Sequence, residues 1–203
     1  MKQLILGILF IPQLLFSQIQ VLRQSTTENK VFPLVSEKTL ATVAIDSADY
    51  ISVQTTARLF AEDVERVTGK KPALVSSKSK LADYVVIVGT IEKNQLIQEL
   101  VKSKKLNIES LQNQWECYTI QTIDNPFPGV KQTLVIAGSD RRGTSYGVFS
   151  VSEVIGVSPW YWWADVPVQK SAILNIKPIN FTSKSPSVKY RGIFINDEDW
   201  GLK

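Results

Sequence analysis

Val53, Ala57, Phe60, Val64 and Val67 recur at steps of four and three, which places them on one face of a helix. Gly69 stands where a C-terminal cap belongs, and Pro72 follows it. Upstream, the short apolar runs Val31–Val35 and Ala41–Ile45 read as strands. Downstream, Asp83–Thr90 is a continuous β-branched run, the signature of a strand buried on both faces. A weaker helix follows over Lys93–Val101. Trp115–Ile123 alternates as a strand, Asn125–Gly129 is a turn-rich break, and Thr133–Gly138 is a second buried strand. Arg142–Gly156 reads as a helix, with Tyr146, Phe149 and Ile155 at near-helical spacing. Ala172–Ile176 is a short strand, and the polar, proline-bearing stretch Lys177–Ser187 reads as a linker.

Strands alternating with about three helices predict an α/β fold, an α+β sandwich whose mixed sheet packs against them. The chain has 203 residues, 44% of them hydrophobic and 21% charged, which excludes disorder for its bulk. The net charge of +4 is dispersed, with no arginine stripe interleaved with aromatics, so nucleic acid is not an expected partner.

Histidine is absent, which excludes Ser-His-Asp and Cys-His machinery and HExxH zinc sites within the chain. Cys117 is the sole cysteine, so no internal disulfide forms, and its apolar setting predicts a buried, inert thiol. Lys2, the apolar run Leu4–Phe16 and Ser17 have the layout of an export signal over residues 1–17. That run is ~13 residues, short of a membrane span. No cysteine stands at the cut to carry a lipid. The expected location is secreted or periplasmic.

Three segments invite chemistry. Gly138–Ser145 mimics a phosphate loop, but Thr144 stands where the lysine is required. A strand-to-helix turn capped by Asp140 is the better reading, with Arg141 and Arg142 available to a carboxylate or a neighbouring domain. In Pro159–Pro167, Trp160, Tyr161, Trp162 and Trp163 stand consecutively. Alternating strand side chains cannot send all four into one core, so some face a sugar ring or an adjacent domain; the adjacent domain is favoured. Lastly, the apolar run Gly192–Ile195 ends in Asn196, Asp197, Glu198 and Asp199. Acids at the C-terminal end of a strand suit a barrel active site and glycoside hydrolysis; a solvated acidic loop suits the same pattern.

The segments Ala137–Val168 and Ser185–Leu202 together resemble glycoside hydrolase family 115, the xylan α-glucuronidases. Ala61–Pro72 is similar to a helix of the small α/β domain that precedes the barrel there, a domain also resembling those of families 67 and 20. The resemblance implies an N-terminal α/β domain over 18–187 and, over 188–203, the first strand, Val188–Ile195, and the loop of a truncated (β/α)8 barrel. It implies a secreted enzyme that removes α-1,2-linked (4-O-methyl-)glucuronic acid from glucuronoxylan with inversion. No metal or cofactor is implied. Asp197 is then the catalytic candidate, Asn196 and Glu198 the substrate-binding ones, and Trp160, Trp162 and Trp163 the interdomain or sugar-stacking ones. One strand cannot close a barrel, so the chain alone is expected to be inactive and to need the missing barrel as partner. The alternative is a stand-alone carbohydrate- or partner-binding module. Exposed tryptophans would invite oligomerisation, whose state the sequence leaves open.

Overall fold

The computed structural model describes residues 19–26, 28, 30–76 and 81–192. The expected export signal and the acidic stretch from residue 193 onward lie outside the described residues.

The chain builds β1 (Val21–Leu22), β2 (Phe32–Val35), β3 (Thr42–Ala44), α1 (Ile51–Thr68), β4 (Leu74–Val75) and β5 (Tyr84–Thr90). It continues through α2 (Gln95–Lys102), a 3-10 turn, β6 (Tyr118–Asp124), β7 (Gln132–Gly138), α3 (Arg141–Ile155), β8 (Leu174–Ile176) and β9 (Asn180–Thr182). The main sheet has the order β4-β3-β5-β7-β6-β9, with β3, β4, β5 and β7 paired in parallel. β6 is antiparallel to both β7 and β9. A smaller antiparallel sheet, β1-β8-β2, packs into the same core as α1 and α3.

The alternation of strand side chains sets the layers. Val86 and Val88 of β5 and Leu134 and Ile136 of β7 join the core with α1 and α3. Val85, Ile87, Val135 and Ala137, one position out of phase, join a second core with Ile97 and Leu100 of α2. Both central strands are thus buried on both faces, each such side chain contributing about 1.5–3 kcal/mol. The stripe read on α1 is the buried one: Val53, Ala57, Phe60, Val64 and Val67. Gly69 closes that helix at φ 75°, where a side chain would be strained, and its N–H donates to the Glu65 carbonyl at 2.7 Å.

On α3 the buried face is Gly143, Thr144, Gly147, Val148, Val151, Ser152 and Ile155; Phe149 is exposed and Tyr146 half-exposed. The sheet is met by small residues, because a Cβ on Gly143 would lie 2.2 Å from the Cys117 carbonyl oxygen. Two expectations are corrected: first, Lys177–Ser187 is not all linker. Asn180–Thr182 forms β9, the edge of the main sheet, where Phe181 stands opposite Ile120 and its ring meets Tyr118 edge-on at 5.9 Å. Of the strand expected over Val188–Ile195, the described part, 188–192, is in no strand, and Val188 and Tyr190 are exposed. No helix among the described residues is long and apolar enough to cross a membrane.

Candidate functional site

The turn after β7 is settled by its own side chain. Asp140 Oδ1 accepts from the N–H groups of Arg142 at 3.0 Å and Gly143 at 2.7 Å. These are the donors a phosphate would need, and a carboxylate already holds them. Thr144 donates to the Gly89 or Asp140 carbonyl, at 3.2 and 3.0 Å. The segment is a capped turn, as its missing lysine implied.

Asp140 also reaches sideways. Its Oδ2 accepts from the Glu116 N–H at 2.7 Å, which helps hold Glu116 at a left-handed φ of 54°. Glu116 is only 6% exposed, and two arginines grip its carboxylate: Arg142, Nη1 to Oε1 at 3.0 Å, and Arg191 through Nη2 to Oε2. The Tyr146 hydroxyl accepts from both guanidiniums, at 3.2 and 3.1 Å. The hydrogen bond to Glu116 raises the Arg191 pKa further. Arg191 also lies 5.8 Å from the Trp115 ring centroid. Upstream of this clasp, the Tyr118 N–H donates to Ser183 Oγ at 2.9 Å. Ser185 Oγ lies 3.2 Å from Cys117 Sγ and donates to Gln114 at 3.0 Å. The segment from Ser183 to Arg191 is therefore a strap fastened along the start of β6. Cys117 is buried, as expected.

The aromatic segment is a turn-built loop, not a strand. Tyr161 and Ala164 donate to the Ser158 and Trp160 carbonyls at 2.9 Å each, and Asp165 adopts φ 50°. The turns separate the rings: Tyr161 packs against the core, while Trp160, Trp162 and Trp163 are 62%, 70% and 71% exposed. The Arg66 guanidinium lies 5.6 Å from the Tyr161 ring centroid and 5.5 Å from that of Trp162. Between α1, α3 and this loop lies a groove of about 410 Å³. Its walls are Leu59, Phe149, Val157, Pro159 and Trp162, and its polar groups are Asp63, Arg66, Ser152 and Ser158.

Asp63 is buried within an otherwise helical apolar face. Burial raises its pKa above the usual 3.8, with the Ser152 hydroxyl and Arg66 drawing it part of the way back. Arg66 Nη1 pairs with Asp63 Oδ1 at 2.8 Å. Ser152 Oγ, fully buried, lies near Asp63 but has no hydrogen-bond partner of regular geometry. Sequence reasoning missed Asp63, Ser152 and Glu116. The one signal available was an acid at position 63 beside the α1 apolar stripe. Of the expected site residues, the structure brings Trp162 to the groove and leaves Trp160 and Trp163 outside its lining; Asn196, Asp197 and Glu198 lie outside the described residues. Among the described residues no group of acids and cysteine is placed to hold a metal.

No protein-family model matches the sequence, and no curated protein matches it. Among solved structures, a family GH115 4-O-methyl-α-glucuronidase, BtGH115A, with specificity for decorated arabinogalactans, is similar at 34% identity and TM-score 0.65, over 84% of this chain. The chain belongs with glycoside hydrolase family 115. It spans 20% of the length of BtGH115A. A structure of CpGH84D is similar at 12% identity, TM-score 0.39, over 68% of this chain and 20% of that one, too distant to bear on the family 115 assignment.

Proposed function

We propose that the chain is the N-terminal portion of a secreted glycosidase that removes glucuronic acid, or its 4-O-methyl ether, from a plant polysaccharide. The observation that supports this is 34% identity to a 4-O-methyl-α-glucuronidase over 84% of the chain. In this reading residues 1–17 export the protein, 18–187 form a scaffold, and 188–203 open the catalytic barrel. Asp197 is the catalytic acid, and Asn196 and Glu198 bind substrate. Trp160 and Trp163, exposed and outside the groove, pack against the missing barrel. An inverting mechanism needs two carboxyl groups ~6.5–9.5 Å apart with water between them, a geometry that adjacent acids of one loop are not built to supply, so on this reading residues 1–203 by themselves release no uronic acid.

The backbone to which the uronate is attached has two candidates. The resemblance first stated points to xylan, whereas BtGH115A has specificity for decorated arabinogalactans. Both are assayed. The chain alone releases no glucuronic acid from either polymer. Grafted in place of the matching portion of BtGH115A, it gives an active chimera, and Asp197→Asn in that chimera lowers kcat by about a hundredfold or more. Release by the short chain, a folded but inactive chimera, or an unaffected Asp197→Asn variant overturns the reading.

A further inference from the structure

The groove between α1 and α3 is a built site rather than a gap. Trp162 gives it a flat, 70% exposed ring at the rim. Its polar groups include a buried carboxylate, Asp63, 6% exposed, and a buried hydroxyl, Ser152, 2% exposed and without a regular partner. A buried hydroxyl held only by an irregular contact to Asp63 gains free energy when a ligand supplies a better partner. Apolar walls with a few convergent polar groups are the usual make-up of a small-ligand site. A ligand that fits presents a flat C–H face to the tryptophan and hydroxyls at its edge. That is a pyranose ring.

Charge decides which kind. Arg66 is committed to Asp63 at 2.8 Å and to Glu62 at 3.7 Å, and Arg58 is committed to Glu62 at 2.9 Å. Two cations are matched by two carboxylates, and among the described residues no cation lining the groove is left over for a uronate. Beside Asp63 an anionic sugar would add repulsion.

We propose that this groove binds a neutral pyranose unit of the polysaccharide backbone, stacked on Trp162 and hydrogen-bonded by Asp63 and Ser152. It is a holding site for the polymer. The proposal rests on the polysaccharide reading above but is tested without hydrolysis. An active chimera with no binding here overturns this site alone; binding with a folded, inactive chimera overturns only the enzyme reading.

The experiment is calorimetric titration of the full 203-residue chain with xylohexaose and with a neutral galacto-oligosaccharide, glucuronic acid serving as competitor. Saturable, millimolar binding of at least one neutral oligosaccharide is expected. Trp162→Ala and, separately, Asp63→Ala weaken it by about tenfold or more, a loss equivalent to ~1.4 kcal/mol. Glucuronic acid does not displace it. Absence of saturable binding, affinity unchanged in both variants, or displacement by glucuronic acid overturns the proposal. Circular dichroism confirms that each variant is folded; Trp162 is a surface residue, so its variant decides if Asp63→Ala fails to fold.

Discussion

At the scale of single residues, Asp63 links the groove to stability. Its carboxyl pKa is raised by burial, so the folded chain holds this proton at pH values where the unfolded chain has released it. Between 3.8 and that raised value the folded state binds more protons, and the Asp63 contribution to stability falls as pH climbs. Asparagine cannot titrate. The melting temperature of Asp63→Asn, measured relative to the parent, therefore rises as pH is raised from 3.8 and levels off above the folded pKa. A difference that falls over this window would reverse the assigned cause. Some single residues were legible in the sequence because their chemistry is local. Gly69 and Asp140 act on backbone groups within a few positions, and both were read correctly. Asp63 and Glu116 were not legible, because what singles them out is burial beside partners from distant segments, Ser152 for one and Arg191 for the other.

At the scale of elements, the close seat of α3 on the sheet is the most exacting contact. Gly143 rides over the Cys117 carbonyl, and Gly147 over the Tyr118 ring and Ile136, where an added Cβ would lie 2.9 Å from Ile136 Cγ2. Backbone cannot yield as a flexible side chain does, so Gly143→Ala is expected to cost about 1–3 kcal/mol. Urea unfolding measures it; an unchanged midpoint would mean that the helix shifts freely. The same contact explains which face of α3 is buried. Tyr146 and Phe149 share the helical spacing of Ile155, yet a helix pressed this close must turn its small residues inward. The buried strands β5 and β7 and the amphipathic α1 were legible because their patterns are long. β1, β4 and β9 are too short for a pattern to form, and β9 hid within a stretch whose prolines and serines resemble a linker.

At the scale of the whole molecule, exposed tryptophan rings gather in one place. Trp160, Trp162 and Trp163 sit on one loop, an apolar surface that a stable monomer seldom leaves open. The chain is expected to self-associate at high concentration, and replacing Trp160 and Trp163 by serine to shift sedimentation velocity toward the monomer without changing the circular dichroism. A parent that stays monomeric at the highest soluble concentration would show that this loop is not sticky. The family resemblance carried the aromatic and acidic segments together, and the sequence read the sandwich correctly, but the groove arises only when α1, α3 and the aromatic loop converge. One feature of the assembled molecule reaches beyond the domain itself. Because Ser183, Ser185 and Arg191 are pinned beside the start of β6, the strap between them is already held to this domain along its length. A partner docking against the strap meets a segment whose conformational freedom is already spent, so even a modest contact area there suffices for binding.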